Sequence, residues 1–245
     1  MSAHCDTVLI LGSAPNAIEA ADWSREHFDH LVAINNAWAV RPDWSHLIHP
    51  EDFPEERRPI DLQDGQKIVD YTDYIPQQNA YGGVVYAGGT MAFTAGYWAL
   101  GALRPRVMAF MGCDMMYASA GNTHFYGTGE ADPLRDDITL QSLEAKSARL
   151  ALLAAQQGCA CVNLSSDPSR LLFPRRPVDS LRATGPLTLS NGCGIATAQA
   201  REEELSYTAP DGRYWQMLDQ FDADKLAEVD GLWLNAFETA SIAVA

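Results

Sequence analysis

The chain has 245 residues, enough for one large α/β domain or a domain with an appendage, and 47% of them are apolar, enough to bury a core. Its formal charge of −15, from 32 acidic and 17 basic residues, argues against a general nucleic-acid or anionic-membrane surface, which needs a basic stripe. No apolar run approaches bilayer-spanning length, the leading MSAHCDTVLILG lacks the basic region of a signal peptide, and the five cysteines (Cys5, Cys113, Cys159, Cys161, Cys193) form no C-x-x-C pair, so the expectation is a cytoplasmic protein with reduced, mostly buried thiols.

Thr7–Leu11 has the pattern of a buried strand, Gly12-Ser-Ala-Pro-Asn16 that of a turn, and Ala17–Trp23 that of a helix. Strand, glycine turn and helix form the first unit of a Rossmann-like sheet, although the turn is not G-x-G-x-x-G. Ser13 and Asn16 stand there as polar groups suited to a phosphate or a ribose. His30–Ile34 is the second strand and ends in Asn35-Asn36, whose amides suit either a base or sugar hydroxyls, or simply a turn. Ser45–His49 is a third short strand; the spacing of His46 and His49 puts them on opposite faces, against joint metal ligation, and each reads as a lone exposed histidine. Glu55–Asp73 is charged and weakly patterned, a helix with loops.

Residues 88–127 organise the rest. Gly88-Gly89-Thr90 follows the apolar run Val84-Val85-Tyr86, which reads as a strand handing over to a helix. Thr90 is a suitable N-cap, and the first turn of a helix over Met91–Leu100, stopped by Gly101, offers an anion site. Arg106–Met111 is a buried strand that leaves Asp114 at its carboxyl end, the edge where open α/β sheets bind ligands. The loop after it carries Tyr117, His124 and Tyr126.

Asp136 or Asp137 caps the next helix, whose apolar face runs through Leu140, Leu143, Leu150 and Ala154 to a stop at Gly158. Cys159–Leu164 is a further strand, ending in the polar Ser165-Ser166-Asp167-Pro168. Alternating strands and helices predict a doubly wound, mostly parallel Rossmann-like α/β sheet over 1–178. Residues 179–245 read as a C-terminal helical appendage, a lid or a homo-oligomer surface, with Asp222–Phe237 the clearest amphipathic stretch.

Four loops, 12–16, 35–36, 88–90 and 112–126, thus share one edge and suit a phosphorylated, hydroxyl-rich ligand. His124 is their one candidate general base, because an unperturbed imidazole titrates near neutrality; composition alone suits an exposed loop histidine equally, and its place between Tyr117 and Tyr126 favours the functional reading. Asp114 suits a ribose, a divalent cation or a structural role, and Tyr117 and Tyr126 suit stacking on a base, holding a phosphate or simply packing, as loop tyrosines commonly do. No G-x-S-x-G elbow, Walker loop, H-E-x-x-H or C-x-x-C zinc pattern occurs, which removes α/β-hydrolases, P-loop kinases and the common zinc enzymes.

The segment GGTMAFTAGYWALG, followed by RVMAFMGCDMMYASAGNTH, resembles the centre of proteins similar to the archaeal 6-hydroxymethylpterin diphosphokinase. The same layout resembles the Rossmann-like bacterial sialyltransferases of glycosyltransferase family 42 and the motility-associated flagellin glycosyltransferases. The likeness covers roughly residues 7–173 by pattern rather than identity. Ser13 stands where the sialyltransferases carry Asn, and Tyr117 falls one position after their nucleotide-contacting tyrosine. The second group implies a transferase using a nucleotide-activated sugar and a hydroxyl acceptor, with no cofactor required. Gly12 to Asn16, Asn35, Gly89 and Thr90 would then surround the donor, and His124 would be the base. The first group implies phosphoryl transfer with Mg2+ on Asp114. A non-catalytic nucleotide- or glycan-binding module is the third expectation.

Overall fold

The structure, a computed structural model, describes residues 7–116, 121–128, 137–184, 187–189, 193–240 and 242–244. Six parallel strands form the central sheet: β1 (Thr7–Leu11), β2 (His30–Ile34), β3 (His46–Ile48), β4 (Lys67–Val69), β5 (Val107–Met111) and β6 (Ala160–Asn163). Their order is β4-β3-β2-β1-β5-β6, so the chain reverses its winding between β1 and β5. β1 and β5 pair in register from Thr7 opposite Val107 to Leu11 opposite Met111, and both are buried along their whole length. That burial on both faces is why they read as continuous apolar runs.

Alternation along the strands divides the core in two. Val8, Ile10, Val32, Met108 and Phe110 face one side, and Leu9, Leu11, Leu31, Ala109 and Met111 the other. The first side is covered by α1 (Tyr71–Asn79), α2 (Val84–Ala87), α3 (Met91–Trp98), α4 (Leu143–Gln156), α5 (Cys193–Leu205) and α6 (Ala223–Thr239). The second is covered by short 3-10 segments, chiefly Pro15–Asp22, Asn35–Ala39 and Val178–Ala183. A small antiparallel ribbon pairs β7 (Leu187–Leu189) with β8 (Ile242–Val244).

The C-terminal helices are built into the main core. Ile195, Ala198, Leu226, Val229 and Trp233 share the cluster of α3 and α4. Two buried ion pairs tie them to α4: Lys146 Nζ lies 2.7 Å from Asp230 Oδ1, and Arg149 makes a two-pronged contact to Glu202 at 2.7 Å. Glu202 also accepts from the Trp233 indole at 2.7 Å, and Arg149 donates to the Tyr97 hydroxyl at 2.7 Å. Burial pushes the Asp230 carboxyl up against the opposing pull of Lys146. Among the described residues no helix is long and apolar enough to cross a membrane.

Several local expectations are corrected. Val84–Tyr86 is not a strand but part of α2, entered through Gly83 at φ +86°, so the glycine pair joins two helices. A short buried apolar run does not distinguish the two states by its period. α3 does not stop at Gly101: the chain continues through one π turn, Ala99–Leu103, and ends at Arg104 in the left-handed region. Gly101 lies inside that turn, against the side chain of Gln77. The 55–73 stretch holds a 3-10 turn, the edge strand β4 and the start of α1, whose N-cap Asp70 forms a capping box with Asp73. The helix at Ala17–Trp23 is a 3-10 segment beginning at Pro15. Asp137 caps a short turn, Ile138–Leu140, and Ser142 caps α4. His46 and His49 are buried rather than exposed: the His46 ring lies between His30 and Trp98, and His49 stacks on Phe53. The thiols of Cys113, Cys159 and Cys161 are buried.

Candidate functional site

The winding reversal places the carboxyl ends of β1 and β5 side by side, where a doubly wound sheet opens its crevice. The two loops leave the sheet in close contact. Gly12 N–H donates to the Met111 carbonyl at 2.8 Å and Ala14 N–H to the Gly112 carbonyl at 3.0 Å. A Cβ on Gly12 would stand 2.2 Å from the Gly112 oxygen, so only glycine lets the backbones meet there.

Polar side chains collect just beyond that contact. Asn16 Nδ2 lies 2.8 Å from Asp114 Oδ2, 2.9 Å from Ser165 Oγ and 3.0 Å from Asp167 Oδ2. Asn163 Nδ2 donates to the other oxygen of Asp114 at 3.3 Å and to Ser169 Oγ at 3.1 Å. Arg175 donates to the carbonyls of Ser165 and Asp167 and fixes the loop after β6. Asp114, Asn163 and Ser165 are all buried. With both oxygens engaged by amide donors, Asp114 orients Asn16 and Asn163, as a structural acceptor does. Among the described residues no three His, Cys, Asp or Glu side chains are grouped to hold a metal ion.

Two amide oxygens at this corner have no donor among the described residues. The side-chain oxygens of Asn16 and Asn35 are buried and lack a hydrogen-bond partner among the described residues. Asn16 must direct its N–H groups at the carboxylates, so its oxygen necessarily faces the other way. Asn35 sits at the carboxyl end of β2 with φ +52°, and Met115, after β5, has φ +53°. Left-handed backbone at non-glycine residues costs free energy and collects at ligand sites. Ser13 is half-buried, its hydroxyl 3.5 Å from the Ile34 carbonyl, and Asn36 is half-buried in the turn after β2.

The histidine loop folds over the same corner. His124 and Gly127 exchange backbone hydrogen bonds of 3.0 and 3.1 Å, closing a tight turn, and Phe125 N–H donates to the Ser13 carbonyl at 3.0 Å. Phe125 packs on the second face of the core, while His124 stacks on the partly exposed Tyr126 with centroids 4.9 Å apart. Thr123 Oγ1 lies 2.9 Å from His124 Nδ1. Burial lowers the His124 pKa, so the ring is neutral at pH 7, the form that accepts a proton. Where Nδ1–H donates to the threonine, Nε2 is the accepting atom.

Gly88, Gly89 and Thr90 lie on the other face of the sheet. They precede α3, on the first face of the sheet, whereas Phe125 anchors the histidine turn on the second. Their donors are turned inward: Gly88 N–H to the Val84 carbonyl at 2.9 Å and Gly89 N–H to Thr139 Oγ1 at 3.0 Å. Thr90 caps α3, accepting from Phe93 N–H at 3.3 Å. Gly89 lines a second opening, an aromatic cleft. The structure therefore gathers Gly12, Ser13, Asn16, Asn35, Asp114, His124 and Tyr126 at this corner, and the glycine turn meets the same edge from the other face of the sheet. Tyr117 lies outside the described residues. Asn163, Ser165 and Asp167 complete the corner without having been singled out; their one sequence signal is a polar run closing an apolar strand on the carboxyl edge. Comparison with protein-family models, curated proteins and solved structures returns no match for this chain.

Proposed function

We propose that the chain is a transferase of the glycosyltransferase type, taking a nucleotide-activated sugar at the β1/β5 corner and using His124 as general base. The observation that carries this reading is the pair of buried oxygens of Asn16 and Asn35 that have no donor among the described residues, in the loops next to Ser13, on whose carbonyl the histidine turn is fastened. A buried acceptor without a donor costs about 1–3 kcal/mol, and a ligand rich in hydroxyl or amino groups supplies what is missing. The ribose or base of the donor meets Asn35 and Asn16, and Ser13 lies beside its phosphate. His124 takes the proton of an acceptor hydroxyl; that oxygen bonds to the sugar's anomeric carbon; the C–O bond to phosphate breaks, and the nucleotide leaves with the electron pair.

The test begins with a thermal-shift screen of nucleotides and nucleotide sugars, followed by turnover of any donor found. A ligand at a hundred times its Kd adds about 2.7 kcal/mol of stability. His124→Ala is expected to lower turnover by about 10²–10⁴-fold with donor Kd changed less than about twofold. A parallel loss of affinity defeats the base assignment, and full turnover in the variant defeats the transferase reading.

A second reading, a non-catalytic ligand-binding module, draws on the way Asn16, Asp114, Asn163 and Ser165 satisfy one another in a closed network. Saturable donor binding without transfer to any hydroxyl acceptor selects it. Phosphoryl transfer through Mg2+ is less well supported, because Asp114 would have to exchange its amide donors for the metal.

A further inference from the structure

The second opening on the carboxyl edge lies on the first face of the sheet, between α1, the start of α3 and the turn at 211–215. It is a cleft of about 420 Å³. Apolar and aromatic side chains form most of its wall: Val84 is buried, Tyr74, Ile75 and Met91 are half-buried, and Tyr71 and Trp215 are exposed. At the floor Gln78 and Thr94 are buried polar groups, their side chains 3.4 Å apart. Trp215 is 57% exposed and Tyr71 38% exposed, an unusual state for two large aromatics beside one cavity.

The outer wall is held firmly. Asn79 donates to the Pro210 carbonyl at 2.8 Å, and Gly212 N–H donates to the Ala209 carbonyl at 2.8 Å. Gly212 has φ +79° and packs on Ile75, where a Cβ would lie 2.7 Å from Cδ1. Tyr214 is buried and donates to Asp137 at 2.5 Å, which leaves its neighbour Trp215 projecting from a fixed base.

The charge of the cleft is unbalanced. Among the described residues Glu51, Asp52 and Asp211 line it against one cation, Arg213, which pairs with Glu51 at 3.5 Å. The Tyr74 hydroxyl is pushed up to about 12, first by burial and then by Asp52, Asp70 and Glu51. An anion entering here meets repulsion, whereas a cation meets carboxylates and ring faces together.

We propose that this cleft binds a small organic cation, its ammonium head beside Glu51 and Asp52 and its apolar body against Tyr71, Tyr74 and Trp215. The proposal is independent of His124 and of the corner at β1 and β5. Calorimetric titration with benzyltrimethylammonium tests it, with benzyl alcohol, benzenesulfonate and maltose as comparators. The expected result is saturable binding of the cation, at least about tenfold weaker binding of the alcohol, and none of the sulfonate. A double variant, Glu51→Gln with Asp52→Asn, is expected to lose about tenfold in affinity with Tm unchanged, since both carboxylates are exposed. Should that variant lose stability, Trp215→Ala decides, with the same expected loss. Equal affinity for alcohol and cation, binding of the sulfonate, binding of maltose in place of the cation, no heat up to about 10 mM cation, or variants that bind like the parent would each overturn the proposal.

Discussion

One edge of a single sheet carries two regions built on opposite principles. The corner at β1, β5 and β6 is polar, with most of its hydrogen bonds made inside the protein and two amide oxygens left over. The cleft near β3 and β4 is apolar and aromatic, with carboxylates at its mouth and Trp215 exposed. The difference follows from what each borders. The corner sits where two glycine loops touch backbone to backbone, so its polar groups must satisfy one another in little space. The cleft lies between a helix and a surface turn, where apolar side chains reach outward without stranding backbone groups. The corner therefore selects by hydrogen bonds, and the cleft by shape and charge.

Substitutions separate the two regions. The largest stability effect is expected from Gly12→Ala, which sets a Cβ 2.2 Å from a backbone oxygen; a loss of about 3 kcal/mol or more should appear in denaturant unfolding. Asp114→Ala removes one acceptor from the Asn16 amide and one from the buried Asn163 amide and should cost about 1–3 kcal/mol, while cation binding at the cleft stays intact. If cation binding falls with it, the two regions are coupled and the contrast between them fails.

The strand beneath the cleft makes a pH-dependent contribution. Burial, then His30 and Lys67, lower the His46 pKa to about 4 from 6.5. The unfolded chain thus takes up a proton that the fold refuses. Stability from this group is complete above about pH 6.5 and declines as pH falls toward 4, by about 2–3 kcal/mol. His30, also lowered by burial and by Arg25, acts in the same direction. Urea unfolding between pH 7 and pH 4 should show the slope, reduced in His46→Gln. The smallest effect is expected from Trp215→Ala, whose side chain is mostly in solvent: a change within about 0.5 kcal/mol, measured by thermal unfolding. A larger loss would mean that the tryptophan supports the fold instead of awaiting a ligand.

The long-range plan of the molecule was legible because its strands are buried on both faces. Thr7–Leu11 and Val107–Met111 announce themselves by composition alone, and the expectation of a mostly parallel, doubly wound sheet holds. β4 was not legible: three residues on an edge, beginning with an exposed lysine, carry no period. Val84–Ala87 misled because two β-branched residues suit a strand, yet packing on all sides keeps them helical. At the site, the carboxyl-edge placement of Asn16, Asn35 and Asp114 could be read from strand ends. Which groups Asp114 would satisfy could not, since Asn163 lies 49 residues away. The inward turn of the Gly88 and Gly89 donors was equally hidden, because their partners are a preceding helix and Thr139.

The ion pairs from α4 to Asp230 and Glu202 bear on how this chain can be cut. A protease or a gene fusion that removed the last fifty residues would strand a lysine and an arginine in hydrocarbon, which costs several kcal/mol for each broken pair. The trimmed product would have no stable shape of its own. Shuffling the front half onto another tail would succeed only with a replacement that carries both counter-charges in register.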